Sequence, residues 1–350
     1  MEKFYEITKK EQTGAARAGI LSFAATQIAT PAFIPQLPPG PKRTYTPQEL
    51  GFWGAKALRV PVWPILRSSL TQVLKQGGLE GFLGAKNVFF AYPGVEWDTH
   101  SSEFNARRVA AEDSGLVFEC PPDWDRAVLS PEDFAKAQMA LNSQAVELLA
   151  PLDPHASQAR DWAMRGIAVL ARVYVGQEVK KPRVYLQYPL RNENSFISAV
   201  DGLVANCSEI EESPHTTPIP LHAKSMKSPQ EILDAVSRGA DTFDASFPYE
   251  NAREKTFHLM PRSGESFRML AIDDEGNKDN SNTPDPSCGC YTCRTYELGE
   301  LYAMASQEPG DLVRLCGIHN TRFVFDLAEK IRRTLTYGSF EEWRQSLRVK

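Results

Sequence analysis

Short apolar segments alternate with amphipathic segments along most of the chain, and the apolar segments have the length of strands. Eight of them are candidate strands: Gln27–Pro35, Ala57–Val62, Asn87–Tyr92, Val146–Leu152, Arg183–Tyr188, Gly202–Cys207, Ile219–Ala223 and Ala240–Ala245. Several are apolar at consecutive positions, which is typical of strands that are buried on both faces. The pattern therefore favours a parallel sheet.

Three helices have clear N-terminal signals. Thr46, Ser130 and Ser228 each precede a proline and stand three residues before a carboxylate. A hydroxyl caps free backbone N–H groups, and proline fits the first helical position. After Ser228 the apolar positions recur until Gly239, which we expect to end the helix in the left-handed conformation. Strand–helix–strand spacing indicates βαβ units, and eight strands predict a (β/α)8 TIM barrel, with a doubly wound sheet as the alternative.

The C-terminal part of the chain has a different pattern. Residues 272–287 are polar and acidic and predict a mobile loop. Beyond the loop, one apolar stripe recurs at helical spacing: Phe323, Val324, Leu327, Ala328, Ile331 and Leu335. We therefore divide the chain into a barrel over residues 1–271, an acidic loop over 272–287 and a mainly helical region over 288–350.

Composition excludes several classes of protein. Of the 350 residues, 42% are hydrophobic and 24% charged, which excludes a wholly disordered chain. The sequence lacks the run of about 18 apolar residues that a membrane-spanning helix needs. Its charged N-terminus lacks the apolar core of a secretion signal. We expect a cytoplasmic protein, with the outer surface of mitochondria as the alternative. The formal charge of −5 means that RNA would need a local basic patch.

Three of the six cysteines lie within six positions, as Cys288, Cys290 and Cys293. In a reducing compartment, clustered thiols are more often metal ligands than disulfides. The C-x-C-x2-C spacing predicts one tetrahedral zinc ion, with His319 as the expected fourth ligand and Cys316 as the alternative. Four protein ligands leave no open position, so the ion would be structural. Residues 288–350 would then hold a zinc-binding subdomain and the C-terminal helices.

The chain resembles the tRNA-guanine transglycosylases along nearly its whole length. The cysteine motif followed by His-Asn resembles their zinc subdomain, and Gly239–Asp244 matches their GxDxFD motif. Weaker matches are Ala16–Gly19 with Thr30–Pro35, Gly77–Phe82, and Ser130–Asp133 with Gln138. The resemblance implies a (β/α)8 barrel with an inserted zinc subdomain. It also implies the exchange of a tRNA guanine for a 7-deazaguanine base such as queuine.

The chemistry of that family implies a carboxylate nucleophile, and Asp244 stands at its position, at the C-terminal end of the last barrel strand. From the residues alone, an aspartate that caps a turn is the alternative. By the same resemblance, Asp153 and Gln187 are the candidate substrate-binding residues. We treat the histidines outside the cysteine motif as non-catalytic: His100, His155, His215, His222 and His258.

Several positions depart from the catalytic pattern. Tyr92 stands where the family has its second catalytic aspartate, and a side chain with a pKa near 10 is a poor base at neutral pH. Tyr188 and Pro189 replace two glycines of the base pocket and should crowd a flat ligand. After Asp244, residues Ala245–Glu250 depart from the catalytic branch of the family. Within them, Phe247–Tyr249 is similar to the accessory, non-catalytic subunit of eukaryotic queuine tRNA-ribosyltransferase. That subunit typically lacks the nucleophile, so Asp244 departs from it.

The resemblance therefore predicts an accessory, tRNA-binding subunit that is catalytically impaired by itself and forms a heterodimer with a catalytic transglycosylase, or a homodimer. An active transglycosylase with Asp244 as nucleophile and a rearranged partner acid is one alternative, and a diverged zinc-containing barrel with another substrate is a second. Residues 321–350 carry seven Lys/Arg and four Asp/Glu. Within them, Arg322, Lys330, Arg332 and Arg333 are candidate phosphate ligands, unless they form a solvated helix face.

Overall fold

A computed structural model describes residues 3–37, 45–94, 107–120, 125–151, 158–173, 181–187, 198–212, 214–262 and 265–347. Its strands are β1 (Tyr5–Lys10), β2 (Arg17–Phe23), β3 (Thr26–Thr30), β4 (Ala32–Phe33), β5 (Ala57–Pro61), β6 (Val88–Tyr92), β7 (Arg107–Glu112), β8 (Gly115–Cys120), β9 (Asp125–Leu129), β10 (Ala145–Glu147), β11 (Arg183–Gln187), β12 (Gly202–Ala205), β13 (Leu221–Met226), β14 (Thr242–Ala245), β15 (Thr256–Leu259) and β16 (Arg268–Ala271). Its helices are α1 (Pro47–Phe52), α2 (Val62–Ser68), α3 (Leu70–Lys75), α4 (Leu79–Leu83), α5 (Pro131–Ala140), α6 (Gln158–Val173), α7 (Cys207–Glu212), α8 (Pro229–Ser237), α9 (Phe247–Arg253), α10 (Tyr291–Thr295), α11 (Leu298–Gln307), α12 (Pro309–Tyr337) and α13 (Phe340–Ser346).

The described part of the chain forms a parallel sheet of eight strands in the order β4, β14, β13, β12, β11, β10, β6, β5. Backbone hydrogen bonds join the two ends of this sheet. The N–H of Arg59 donates to the carbonyl of Pro35 at 2.9 Å, and the N–H of Leu37 donates to the carbonyl of Arg59 at 2.8 Å. The sheet therefore closes into a barrel, which confirms the predicted (β/α)8 fold and excludes the doubly wound alternative.

Each of the eight predicted segments contains or overlaps one barrel strand. Two boundaries were wrong, because β10 begins at Ala145, before the predicted Val146–Leu152, and β13 extends to Met226, beyond the predicted Ile219–Ala223. The first segment, Gln27–Pro35, also contains most of β3, which pairs with β2 in a separate antiparallel sheet of three strands. The segment Gly202–Cys207 was predicted too long, because Cys207 begins α7. A second antiparallel sheet, β7 to β9, and the hairpin of β15 and β16 lie outside the barrel sheet.

The predicted helix starts are confirmed. The hydroxyls of Thr46, Ser130 and Ser228 accept hydrogen bonds from the backbone N–H groups three residues later, at 3.1–3.2 Å. Gly239 has φ +101° and directly follows Arg238, the C-cap of α8, as expected for a left-handed stop. These local signals fix the ends of the helices and so the positions at which the next strands enter the barrel.

Helix α12 links two hydrophobic cores. The predicted apolar stripe from Phe323 to Leu335 is buried in the barrel-side core, which confirms the stripe. The first half of α12 packs instead into a smaller core, which contains Leu312 and Phe257 together with Cys290 and Cys293. The domain boundaries at residues 271 and 287 remain a prediction, and the acidic segment between them contains a 3-10 turn at Glu275–Asn277. Among the described residues, every helix is too short or too polar to cross a membrane.

Candidate functional site

The described chain brings the four predicted metal ligands together. One ligand atom from each of Cys288, Cys290, Cys293 and His319 lies within 4.8 Å of the others. Nδ1 of His319 is 3.3 Å from Sγ of Cys293 and 3.8 Å from Sγ of Cys290. The alternative ligand Cys316 is buried in the same small core, but within the described residues it does not join this cluster.

Local structure orients these side chains. Cys290 is the N-cap of α10, and its sulfur accepts a hydrogen bond from the N–H of Cys293. The hydroxyl of Thr292 donates to the carbonyl of Leu315 at 2.9 Å, which ties α10 to α12. Short-range geometry therefore places two of the sulfurs, and the contact between the two helices brings them to the imidazole.

The His319 ring is held in one orientation. Its Nε2 donates to the carbonyl of His258 at 2.8 Å, and the ring of Phe257 stacks on it at 4.2 Å. Because the proton is then on Nε2, the lone pair of Nδ1 faces the sulfurs, which is the tautomer a metal ligand needs. A backbone carbonyl in this second position is a common way to orient a ligating histidine.

The donor set fits a structural zinc ion. Three thiolates and one imidazole complete a tetrahedron without an open position. The four residues could therefore hold one zinc ion that joins the turn before α10 to α12.

The second candidate site lies inside the barrel, where the Asp244 carboxylate is fully buried near the C-terminal end of β14. Its Oδ1 accepts hydrogen bonds from Nε2 of Gln36 at 2.8 Å and from the N–H of Ser225 at 2.7 Å. Its Oδ2 accepts one from Nε2 of His222 at 3.0 Å and forms an ion pair with Arg59. Each carboxylate oxygen therefore has two donors.

Arg59 connects Asp244 to a second buried acid, Glu147, the last residue of β10. Its Nη1 contacts Asp244 and its Nη2 contacts Glu147. The guanidinium carbon lies 4.1 Å from the centre of the Tyr92 ring. The second oxygen of Glu147 accepts a hydrogen bond from Nε2 of Gln187 at 2.7 Å. A continuous chain of contacts therefore runs across the barrel interior from Asp244 to Gln187.

The charges in this network balance. Lys224 lies 3.9 Å from Glu147, so two carboxylates face two cations. Burial alone would raise the pKa of Asp244, but the positive charge of Arg59 and the hydrogen bond from His222 outweigh it and hold the pKa well below its usual range. Burial and the nearby Arg59 lower the pKa of His222. Asp244 is therefore ionised at neutral pH, beside a neutral imidazole that donates to it.

The backbone at Ser225 adapts to this network. Ser225 has φ +60°, in the left-handed region that non-glycine residues rarely adopt, and it lies where the pairing of β13 with β14 is irregular. Such a conformation costs about 1 kcal/mol or more and persists only where neighbouring contacts hold it. Here it directs the Ser225 N–H at Asp244, so local strain supplies one of the four donors.

The structure joins two of the residues proposed for the barrel site, Asp244 and Gln187, through Arg59 and Glu147. The third, Asp153, lies outside the described residues, as do Tyr188 and Pro189 of the proposed base pocket.

Arg59, Glu147 and His222 were missed as site residues. Arg59 and Glu147 each carry the only charge in an otherwise apolar barrel strand, and that signal was available in the sequence. His222 was set aside as one histidine among several, although it contacts Asp244. Its sequence neighbours give no sign of this contact, which depends on the pairing of β13 with β14.

Two of the four basic residues proposed to bind phosphate are engaged within the fold. Arg322 forms an ion pair with Asp326 at 2.7 Å. Arg332 donates to the carbonyl of Pro31 at 2.7 Å and is directed toward the barrel rather than toward solvent. Both contacts reduce the number of N–H groups that each guanidinium could offer to an RNA phosphate.

The other two basic residues, Lys330 and Arg333, line a cleft of about 620 Å³ beside Cys288, as Arg322 does. Arg333 is exposed. Lys330 lies over the ring of Trp343, with 4.9 Å between its Nζ and the ring centre. Three carboxylates, those of Asp285, Asp326 and Glu329, line the same cleft. Arg333 therefore differs from the other three proposed phosphate ligands by its exposure alone.

Known proteins are similar in sequence to this chain over almost its whole length. The sequence model of the queuine tRNA-ribosyltransferase family matches residues 11–178 and 207–350. A queuine tRNA-ribosyltransferase of Francisella tularensis subsp. novicida (strain U112) is 27% identical over 377 residues, which cover 97% of this chain and 97% of that protein. The enzyme of the same name from Francisella tularensis subsp. holarctica (strain LVS) is 27% identical, with the same coverage.

Proposed function

Because the chain belongs to the queuine tRNA-ribosyltransferase family of tRNA-guanine transglycosylases, which acts in queuosine modification of tRNA, we propose that it is an accessory subunit of a transglycosylase complex. In this proposal it binds tRNA, forms a heterodimer with a catalytic chain of the same family, and has little activity by itself. A homodimer is the alternative assembly. The cytoplasm remains the predicted compartment, with the mitochondrial surface as the alternative.

The main support for the proposal is that Asp244 is buried and fully hydrogen-bonded. A carboxylate nucleophile must bring an oxygen with a free lone pair to within about 3–3.5 Å of the ribose carbon. Both oxygens of Asp244 already accept two hydrogen bonds or ion contacts, and the side chain has no exposed surface. The buried Asp244 therefore supports an accessory role.

The charge of Arg59 is an electrostatic argument for the accessory role. Glycosyl transfer passes through a transition state with positive charge on the sugar, which the nucleophilic carboxylate stabilises. In this chain a permanent cation, the Arg59 guanidinium, already lies against Asp244 and Glu147. The sugar would have to displace Arg59, and that would leave a buried guanidinium without its partners at a cost of several kcal/mol.

Tyr92 supports the same proposal. It stands at the position of the second catalytic aspartate, is buried, and packs its ring on the Arg59 guanidinium. A phenol in that setting offers neither the carboxylate nor the accessible proton acceptor that base exchange needs.

Glu147 is the observation that favours the alternative of an active enzyme. It is a second buried carboxylate, bridged to Asp244 by Arg59. If Arg59 moved when tRNA binds, Asp244 could attack the ribose and Glu147 could transfer the purine proton. This alternative makes both acids essential, whereas the accessory proposal makes neither essential for chemistry.

The zinc-binding region supports a role in assembly and RNA contact. One zinc ion held by Cys288, Cys290, Cys293 and His319 would stabilise the small core at the start of α12. Farther along the same helix, Arg333 lines the cleft beside Cys288, and an exposed guanidinium there suits a phosphate of tRNA.

An exchange assay with labelled guanine and unmodified tRNA tests the proposal. We expect no incorporation by the purified chain alone and incorporation when a catalytic family member from the same organism is added. In that complex Asp244→Asn should retain activity, while replacement of the matching aspartate in the catalytic chain should abolish it. Incorporation by the chain alone that Asp244→Asn removes would establish the active alternative instead.

A further inference from the structure

The four metal ligands differ in their access to solvent. Cys290, Cys293 and His319 are buried, and even Cys290 is only 6% exposed. Cys288 is half-buried instead, and the residues on either side of it in the chain are exposed. A reagent in solution can therefore reach one sulfur of the cluster more easily than the other two.

A cleft leads to this sulfur. Of the three clustered cysteines, only Cys288 lines the cleft of about 620 Å³, together with its neighbours Ser287 and Gly289. His319 lines the cleft too, but it is buried and has no sulfur to oxidise. One water molecule occupies about 30 Å³ of liquid, so the cleft has ample room for a small oxidant.

The charges around the cleft balance. Six charged side chains line it, three cations and three carboxylates: Arg322, Lys330, Arg333, Asp285, Asp326 and Glu329. Their formal charges sum to zero, so the cleft carries no net charge that would select for or against an ion. A small neutral oxidant such as hydrogen peroxide suits this lining.

The chemistry of the cluster favours oxidation at its exposed sulfur. A cysteine that binds zinc is a thiolate, and the thiolate is also the form that attacks electrophiles. Susceptibility to oxidation follows thiolate character and exposure, and a reactive cysteine often has a second cysteine beside it that completes a disulfide. The ligand atoms of Cys288, Cys290 and Cys293 all lie within 4.8 Å of one another. An accessible thiolate therefore has two partners within reach.

Local structure protects one of the buried sulfurs further. Sγ of Cys290 accepts a hydrogen bond from the backbone N–H of Cys293 at 3.4 Å. An N–H donor withdraws electron density from a thiolate and makes it a weaker nucleophile. Burial and this hydrogen bond together disfavour Cys290 as the first sulfur to react.

We propose that Cys288 is a site of oxidative modification, which hydroperoxides and other small electrophiles attack first, and that a disulfide formed from it releases the metal ion. The inference rests on the four ligands described above and holds for an accessory or an active chain alike. Loss of the ion would leave protein contacts, such as the hydrogen bond from Thr292 to Leu315, to join α10 to α12.

Two thiolates and one peroxide molecule complete the oxidation. The Cys288 sulfur attacks a peroxide oxygen, so that an S–O bond forms, the O–O bond breaks and hydroxide leaves. Cys290 or Cys293 then attacks the sulfur of this sulfenic acid, so that an S–S bond forms, the S–O bond breaks and a second hydroxide leaves. Both hydroxides take protons from solvent and become water. The thiolates lose two electrons and the peroxide gains two, while zinc loses two of its four ligands.

Competitive alkylation tests which sulfur reacts first. The full-length chain with about one zinc ion bound is treated with limiting iodoacetamide, which forms an S–C bond as iodide leaves, and the labelled peptides are measured by mass spectrometry. We expect Cys288 to be labelled at least about tenfold faster than Cys290 or Cys293. Faster labelling of either buried sulfur would overturn the proposal.

Cys207 is the internal control in the same experiment. It is half-buried as Cys288 is, but it lies outside the cluster. Burial, together with the charges of Glu231 and Glu211, raises the pKa of the Cys207 thiol to about 11. Because Cys207 then remains a thiol at neutral pH, we expect it to react more slowly than Cys288. Equal rates would show that exposure alone, and not the metal site, sets the reactivity.

Hydrogen peroxide tests the release of the metal. A chromogenic chelator follows zinc release, and mass spectrometry without reduction maps the disulfides. Cys288→His keeps four donors, two thiolates and two imidazoles, and should release zinc at least about tenfold more slowly than the wild type. Cys207→Ser is the matched control and should release zinc at the wild-type rate. If Cys288→His fails to hold zinc, the labelling order and disulfide map of the wild type decide the question.

The disulfide map gives the final test. A disulfide that joins Cys288 to Cys290 or to Cys293, formed as zinc is released, would support the proposal. A disulfide between Cys290 and Cys293 with Cys288 still reduced, or zinc release at the wild-type rate from zinc-loaded Cys288→His, would overturn it. A purified chain without zinc would overturn the ligand assignment and this inference with it, and would leave the accessory role standing.

Discussion

At the scale of single residues, Arg59 neutralises the two buried carboxylates inside the barrel. It is a permanent cation in a buried strand, and it reaches two acids that lie far away in sequence, Glu147 and Asp244. A buried ion pair is not by itself evidence of high stability, because its desolvation offsets much of its attraction. Removal of one partner is costly, however, because an uncompensated charge then remains buried.

Replacement of Arg59 tests this balance. We expect Arg59→Met to lower the free energy of unfolding by about 3–5 kcal/mol, measured by urea denaturation. The triple variant Arg59→Met, Asp244→Asn, Glu147→Gln should recover much of that loss, because it leaves no unpaired carboxylate. Arg126→Met, which breaks the exposed ion pair with Glu112, is the control and should cost less than about 1 kcal/mol. A triple variant less stable than Arg59→Met would contradict the assignment.

The lowered pKa of Asp244 predicts a dependence of stability on pH. A carboxyl group whose pKa is depressed by folding stabilises the folded state above its unfolded pKa of about 4, and this contribution is lost as the pH falls through the folded value. We expect the free energy of unfolding to fall more steeply below about pH 4 in the wild type than in Asp244→Asn. Urea denaturation at several pH values measures both slopes. Equal slopes would show that Asp244 is not held ionised by its partners.

At the scale of elements, a local sequence signal ends helix α8, and a tertiary contact restricts which residue can stand at that end. Gly239 follows α8 with φ +101°, and a Cβ built there would lie 2.2 Å from the carbonyl oxygen of His215. The left-handed conformation was predictable, but the close approach of the His215 segment was not. Both constraints act on the turn that leads into β14 and hence on the position of Asp244.

A pair of glycine substitutions separates these effects. Gly239→Ala should destabilise the fold by about 1 kcal/mol or more, because both the positive φ and the His215 carbonyl oppose a side chain. Gly310→Ala, in the first turn of α12 with open space around the site, should be neutral or stabilising by up to about 1 kcal/mol. Thermal melting compares the two. Similar melting temperatures for both variants would rule out the steric argument.

At the scale of the whole molecule, α12 connects the metal-ligand cluster to the barrel. It carries His319 near the small core and buries its later turns in the barrel-side core. A structural zinc ion would therefore stabilise more than the cysteine turn, because it fixes the helix that spans both cores. In small metal-binding units much of the folding free energy comes from the ion.

Cysteine variants test the metal site and its alternative ligand together. Cys290→Ser should lose zinc and melt at a lower temperature, because three donors remain from a tetrahedral set. Cys316→Ser should keep about one zinc ion per chain, since Cys316 lies outside the described cluster. Elemental analysis gives the stoichiometry. Stoichiometric zinc in Cys290→Ser, or its loss in Cys316→Ser, would refute the assignment of the four ligands.

The sequence by itself determined the features that depend on neighbours along the chain. Apolar runs with capped helices between them predict the barrel, because strand burial and helix capping are local patterns. The C-x-C-x2-C spacing predicts a metal site for the same reason. His319 was also identified in advance, although Cys316 remained an alternative until the fold oriented the imidazole toward the sulfurs.

Only the tertiary structure decided the state of Asp244. Its position on the last barrel strand was readable, but its four donors come from three other places in the chain: Gln36, Arg59, and β13, which supplies both His222 and Ser225. Which of them meet is set by strand order, by the irregular pairing at Ser225 and by closure of the barrel at Gln36 and Arg59. Such contacts join residues up to 208 positions apart, so no pattern along the chain records them. A buried charge is stable only beside a partner, and the partners of Asp244, Glu147 and Arg59 come together only in the folded barrel.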